Sequence, residues 1–292
     1  MEFEGPGSSP GAVGIVGAGT MGAGIALVCA RRGRRVYLQD IKPEVLDAAQ
    51  AYIGSILAKD VAKGRISEEE KRKTHELVEP MQDMAALRSC PIVIEAVPEK
   101  LELKRSVFAR LTELCGSDAL LLSNTSSLSI TELAAGLPHP ERIIGFHFFN
   151  PAPVMPLVEV IRGHKSGEAC VAAARRFAEE LGKVPVLAED SPGFIVNRVA
   201  RPYYNEALRI MGDRVASPAQ IDRIMKQAGG FKMGPFELQD LIGLDVNLAT
   251  TESVYARFYH ESRFKPSRIQ QRMVQAGSLG RKTGEGFYPY DQ

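Results

Sequence analysis

Ala12-Val13-Gly14-Ile15-Val16-Gly17-Ala18-Gly19-Thr20-Met21-Gly22 is the stretch that decides the fold. Ala12 to Val16 is a short apolar run of strand character, and a helical pattern runs from Thr20 to Arg32. Gly17, Gly19 and Gly22 between them fit G-x-G-x-x-G. Glycine-rich turns are common, so the motif takes its meaning from context. A strand precedes it, a helix follows, and Asp40 ends the next strand pattern, Arg35 to Gln39, about 20 residues on. Bare backbone can approach a pyrophosphate, and a helix N-terminus offers amide donors and the positive end of its dipole. Gly17, Gly19, Thr20, Met21 and Gly22 are therefore expected to cradle a dinucleotide. Asp40 is expected to accept hydrogen bonds from both ribose hydroxyls. Its charge would repel a 2′-phosphate, which favours NAD over NADP, although Lys42 nearby pulls the other way.

Working outward, strand and helix signals alternate through the first 190 residues. Helical patterns run from Pro43 to about Lys63, from Ser67, and from about Leu101 to Cys115. Ser67 with Glu70 and Ser129 with Glu132 have the spacing of capping boxes. Further strands are expected over Pro91–Ala96, Leu120–Ser123, Ile143–Phe149, Leu157–Ile161 and Val184–Leu187. Such alternation predicts an α/β domain over 12–190, a Rossmann-type doubly wound, mostly parallel sheet with helices on both faces. From Phe194 onward the periodicity is helical, with a strong start at Ser217-Pro218-Ala219-Gln220. An all-helical C-terminal domain is expected over 191–292, and residues 1–11, acidic and rich in Gly, Pro and Ser, read as a flexible tail.

Composition narrows the field. With 292 residues and a formal net charge of +1, the chain can bury a large core and has no global field drawing it to nucleic acid or anionic lipid. No zinc-finger spacing or aromatic-plus-basic RNA motif stands out, so neither nucleic acid nor a metal is expected as a partner. Cys29, Cys90, Cys115 and Cys170 form no CxxC pair and read as reduced thiols of a cytoplasmic protein. The N-terminus lacks the features of a secretory or mitochondrial leader, and neither apolar segment, 12–30 or 143–161, has the make-up of a membrane span.

The chemistry concentrates in Gly145-Phe146-His147-Phe148-Phe149-Asn150-Pro151-Ala152-Pro153, followed by Leu157-Val158-Glu159-Val160. A carboxylate inside an apolar strand needs a partner, and His147 is the candidate. The prolines fix a turn that can return Glu159 to His147. A histidine held by a carboxylate is suited to general-base work near neutral pH. Ser126 and Ser127, in Asn124-Thr125-Ser126-Ser127-Leu128, follow a strand and should face the cofactor at the carboxyl ends of the strands. Asn197, in Ser191-Pro192-Gly193-Phe194-Ile195-Val196-Asn197-Arg198, can donate and accept at once, which suits a substrate oxygen.

These motifs, with Gly229–Asp245 (GGFKMGPFELQDLIGLD) and Gly280–Tyr288 (GRKTGEGFY), give the chain a close resemblance to the L-3-hydroxyacyl-CoA dehydrogenases, by size the bacterial 3-hydroxybutyryl-CoA type. The resemblance extends from Val13 to Tyr290. It implies that His147 takes the 3-hydroxyl proton, that Glu159 orients and supports it, and that Ser126 and Asn197 bind the substrate's oxygens. It further implies that Glu99, Lys104, Asn150 and Lys282 lie near NAD, that Lys63 contacts CoA, and that the helical domain forms a homodimer. Ser55 is displaced by one position from the family's second CoA contact. A related two-domain β-hydroxyacid dehydrogenase would need a lysine in the joining segment Pro192–Arg201, which has none. A dinucleotide-binding protein without activity is disfavoured because every proposed catalytic position holds a competent side chain.

Overall fold

A computed structural model describes residues 11–290. Apart from Gly11, the tail expected over 1–11 lies outside the described residues. The chain divides into two compact units that meet at Asp190 and Ser191.

The first unit is built on an eight-stranded sheet. The strands are β1 (Val13–Val16), β2 (Val36–Gln39), β3 (Val78–Met81), β4 (Ile92–Glu95), β5 (Leu120–Ser123), β6 (Ile143–Phe148), β7 (Leu157–Arg162) and β8 (Val184–Glu189), in the order β3-β2-β1-β4-β5-β6-β7-β8. The first six are parallel; β7 runs antiparallel to β6, and β8 parallel to β7. Helices α1 (Thr20–Ala30), α2 (Pro43–Ala62), α3 (Glu68–Glu76), α4 (Leu101–Leu114), α5 (Ile130–Ala134) and α6 (Glu168–Glu180) connect them. The central strands read as continuous apolar runs because both faces are covered: every residue of β1, β4 and β5 is buried. Helix α1 is buried almost all round, from Gly22 to Ala30. Its small residues allow close packing, and a Cβ on Gly24 would sit 3.3 Å from both Ala152 and Pro153. Helix α1 thus lies directly against the loop that follows His147.

Strand β3 is absent from the sequence expectation. It carries Glu79 and Pro80, both exposed, and Pro80 cannot donate to a ladder. An edge position tolerates this, and β3 occupies the edge beside β2. The capping box of Ser67 and Glu70 is present in full, and Ser129 accepts from the Glu132 N–H.

The second unit contains α7 (Val196–Gly212), α8 (Pro218–Gln227), α9 (Pro235–Ile242), α10 (Leu244–Arg257) and α11 (Arg268–Ala276). Ala207, Leu208, Ile221 and Phe236 form its core cluster. Two buried aspartates organise it. Asp222 on α8 accepts from the N–H groups of Phe236 and Glu237, satisfying the first turn of α9. Asp240 on α9 accepts from the N–H groups of Phe287 and Tyr288 and from the Tyr290 hydroxyl, pinning the C-terminal segment.

Candidate functional site

The glycine loop has the shape a dinucleotide requires. Gly17 has φ +97°, donates its N–H to Gln39 O at 2.8 Å, and passes so near β4 that a Cβ would lie 2.8 Å from the Ala96 carbonyl. A Cβ on Gly22 would lie 1.8 Å from Gly17 O, so this position fixes the tight turn into α1. Over Gly19, by contrast, a Cβ would meet nothing within 4 Å, and Gly19 and Thr20 are exposed at the helix N-terminus. The first two glycine constraints close the loop, and the third leaves open space in front of the amide donors, where a pyrophosphate fits. Asp40 sits just past β2, accepting from the Ala18 N–H at 2.9 Å and the Lys42 N–H at 3.1 Å. Its carboxylate is thereby fixed beside the loop with acceptor capacity left for ribose hydroxyls. Met21 is half-buried and packs against the core of this unit.

Beneath the neighbouring strand ends lies a charged network. Glu95, the last residue of β4, and Lys104 on α4 are both buried, with Nζ 2.6 Å from Oε1. Glu95 also accepts from the Val97 N–H at 2.7 Å and the Ser123 hydroxyl at 2.7 Å. Lys104 donates onward to Val97 O and lies 3.3 Å from Glu99. Glu99 in turn accepts from the Thr125 hydroxyl at 2.6 Å and from the N–H groups of Ser126 and Ser127 at 3.0 and 3.1 Å. Burial pushes the Glu99 carboxyl up, but the Lys104 charge and these donors outweigh it and hold its pKa below the ordinary carboxylate value. Burial raises the Glu95 carboxyl against the same lysine. Through this chain of contacts, Lys104 fixes the loop that carries Ser126.

His147 and Glu159 face each other across the antiparallel pair β6–β7, directly opposite in register. Both are buried, and Glu159 Oε2 lies 2.8 Å from His147 Nδ1. With the carboxylate as acceptor, Nδ1 is the donor in this bond. The Phe149 ring packs against the imidazole, centroids 4.5 Å apart. Phe148 donates its N–H to Asn124 Oδ1 at 2.9 Å, and the Asn124 N–H bonds Glu95 O at 2.8 Å, so the ends of β4, β5 and β6 are cross-braced.

The remaining expected residues are more dispersed. Asn150 is exposed two residues beyond β6. Lys63, at the C-terminal cap of α2, is exposed. Asn197 and Lys282 belong to the second unit: Asn197 lies half-buried in the first turn of α7, and Lys282 pairs with Asp245 at 2.6 Å. Glu95 is absent from the sequence expectation, although the signal that singles out Glu159, an acid within an apolar strand pattern, is present in Ile92-Val93-Ile94-Glu95. All four cysteines are free thiols, and burial pushes those of Cys29 and Cys90 up to about 12, which removes them as nucleophiles. Among the described residues no cluster of metal-ligating side chains occurs, and no helix is long and apolar enough to cross a membrane.

A doubly wound sheet with a G-x-G-x-x-G loop, an aspartate bonded to that loop and a carboxylate-held histidine, followed by a helical unit, defines a dinucleotide-dependent dehydrogenase. The family model described as "3-hydroxyacyl-CoA dehydrogenase, NAD binding domain" matches residues 12–191, and that described as "3-hydroxyacyl-CoA dehydrogenase, C-terminal domain" matches residues 193–290. The chain belongs to the 3-hydroxyacyl-CoA dehydrogenase family. It is 41% identical to a 3-hydroxybutyryl-CoA dehydrogenase of Bradyrhizobium diazoefficiens, covering 95% of this chain and 94% of that protein. It is 48% identical to a 3-hydroxyadipyl-CoA dehydrogenase of Escherichia coli, covering 95% of this chain but only 58% of that longer protein. A crystal structure of (S)-3-hydroxybutyryl-CoA dehydrogenase from Ralstonia eutropha superposes with a TM-score of 0.92 at 41% identity, covering 96% of this chain and 99% of that one.

Proposed function

We propose that the protein catalyses the reversible NAD-dependent oxidation of an L-3-hydroxyacyl-CoA, of the 3-hydroxybutyryl type, to the 3-ketoacyl-CoA. The observation that carries this reading is the buried contact of 2.8 Å between His147 and Glu159 at the strand ends beside the Ser126 loop. A secondary alcohol releases hydride readily only as its hydroxyl proton leaves. Nε2 of His147 accepts that proton, while Nδ1 donates to Glu159, whose charge stabilises the imidazolium that forms. Ser126 and Asn197 hydrogen-bond the substrate's oxygens and hold C3 in place. NAD, when bound, supplies the acceptor for the hydride that leaves C3. Gly17, Gly19, Thr20, Met21 and Gly22 hold its pyrophosphate side and Asp40 its ribose; Glu99, Asn150 and Lys282 contribute contacts, with Lys104 acting through Glu99. In the reverse direction the protonated His147 returns its proton to the carbonyl oxygen.

Lys63 is assigned to the CoA moiety. A homodimer formed through the helical unit is supported by apolar side chains that this unit leaves exposed, among them Val199, Val215 and Ile224. Free thiols throughout suit the reducing cytoplasm. Purified protein is mixed with acetoacetyl-CoA and NADH and the loss of NADH absorbance is followed; consumption is expected. No consumption with acyl chains of any length overturns the reading. Sedimentation of the same sample tests the dimer.

A further inference from the structure

Arg201 occupies an unusual setting on α7. It is 3% exposed, yet among the described residues it makes no ion pair. Its Nη1 donates to Asn247 O at 2.9 Å and to the Thr251 hydroxyl at 3.0 Å, both on α10, and its Nε donates to Asn197 O at 3.2 Å. The guanidinium carbon lies 4.9 Å from the Tyr204 ring centroid. These contacts are all neutral, and none uses Nη2. The neighbouring Asn247 side chain is also incomplete, with a buried Nδ2 that has no acceptor. Burial lowers the arginine's pKa to about 10, with Tyr204 opposing, so the group stays cationic at neutral pH. A cation withdrawn from water with only neutral partners is costly, and an anion brought to it recovers the missing attraction.

Its position suggests which anion. Arg201 follows Asn197 by one turn, and four residues of helix rise about 6 Å. The bond from Nε to Asn197 O draws the guanidinium back over that turn. Resting on the proposed activity, in which Asn197 binds an oxygen near the reacting carbon, an acyl chain running along α7 from that carbon would meet the guanidinium within a few ångströms. Three carbon–carbon bonds beyond C3 span at most roughly 4.5 Å. We infer that Arg201 is a specificity-determining residue that binds the terminal carboxylate of a dicarboxylic 3-hydroxyacyl-CoA, a 3-hydroxyadipyl chain being of the right length. Arginine suits this task because its planar fork meets a carboxylate through two parallel N–H bonds.

The test compares 3-hydroxyadipyl-CoA with 3-hydroxyhexanoyl-CoA, which has the same number of carbons and a methyl group in place of the carboxylate. With NAD, the wild-type kcat/KM is expected to favour the carboxylated substrate by roughly 10- to 100-fold. Arg201→Gln is expected to abolish most of that ratio, chiefly through KM of the carboxylated substrate, and Arg201→Lys to restore part of it. A wild-type ratio at or below one overturns the inference, and that comparison needs no variant to fold. Equal losses on both substrates in Arg201→Gln also overturn it, by making Arg201 a structural tie between α7 and α10. Oxidation of 3-hydroxybutyryl-CoA and 3-hydroxyhexanoyl-CoA without preference for the carboxylate sinks this inference alone. No oxidation of any of the three sinks the proposed activity with it.

Discussion

Lys104 lies with Nζ 2.6 Å from Oε1 of Glu95, both side chains withdrawn from solvent, and this pair sits directly under the loop that carries Ser126. A buried ion pair is weak evidence of stability, because desolvation of both charges offsets most of their attraction. Removing one member is another matter, since the other is then left charged and dry. Glu95→Gln and Lys104→Met are each expected to cost about 3–5 kcal/mol in urea denaturation. The double replacement Glu95→Leu with Lys104→Met should recover part of that loss, because no unpaired charge remains. It should not recover NADH affinity, because Glu99 has lost its cation. If the double variant binds NADH as the wild type does, the pair is structural only.

Glu99 gives the same loop a pH dependence of definite sign. Its folded pKa lies below the ordinary carboxylate value. The stabilisation it confers is therefore complete above the unfolded value of about 4.3 and is lost as pH falls through the folded one. Wild type should melt higher than Glu99→Gln at neutral pH, and the gap should close at pH values well below 4.3. A gap that widens on acidification would reverse the assigned sign.

The facing positions of His147 and Glu159 call for a kinetic cycle. His147→Gln is expected to lose on the order of 10²- to 10⁴-fold in kcat with NADH affinity retained, since the imidazole acts on a proton rather than on the dinucleotide. Glu159→Gln should also be severely impaired. If the two act as one unit, the double variant is scarcely slower than the worse single variant. Multiplicative losses, or loss of NADH binding in His147→Gln, would assign the histidine a structural role.

How much of this was legible in the sequence differs from residue to residue. β4 and β5 declare themselves as short apolar runs because helices cover both of their faces. β3 does not, because at an edge an exposed Glu79 and Pro80 are tolerated and leave no hydrophobic pattern. His147 and Glu159 stand 12 residues apart, and the prolines between them signal a turn. The antiparallel register then makes them opposite partners. Lys104 and Arg201 are harder. A lysine or arginine in an amphipathic helix ordinarily points to water, and only the tertiary partners reveal otherwise: Glu95 for the one, the α10 carbonyl and hydroxyl for the other.

Asp40 serves two purposes, which its replacement should separate. It accepts the Ala18 N–H within the glycine loop and is expected to meet the ribose. Asp40→Ala should weaken NAD binding and lower the preference for NAD over NADP by at least roughly 10-fold, because the repulsion of a 2′-phosphate disappears. Asp40→Asn retains an acceptor for Ala18 but not the charge. It should keep the loop's stability and still lose the preference. An unaltered NAD-to-NADP ratio in both removes Asp40 from the ribose site.

Gly19 and Gly22 provide a contrast between space for the chain and space for its ligand. A methyl group at Gly22 collides with Gly17 O at 1.8 Å, and neither backbone can withdraw without opening the turn. Gly22→Ala should therefore lower the melting temperature and damage NADH binding together. Gly19 has an ordinary φ of −63°, and a methyl group there meets nothing of the protein within 4 Å. Gly19→Ala should fold with stability changed by no more than roughly 1 kcal/mol, as expected for a helix N-cap without a side-chain bond. The same methyl would project into the space in front of the α1 amides that a pyrophosphate needs, and NADH affinity should fall at least about 10-fold. Unchanged affinity in a stable Gly19→Ala protein would mean that the dinucleotide does not cross the front of this helix.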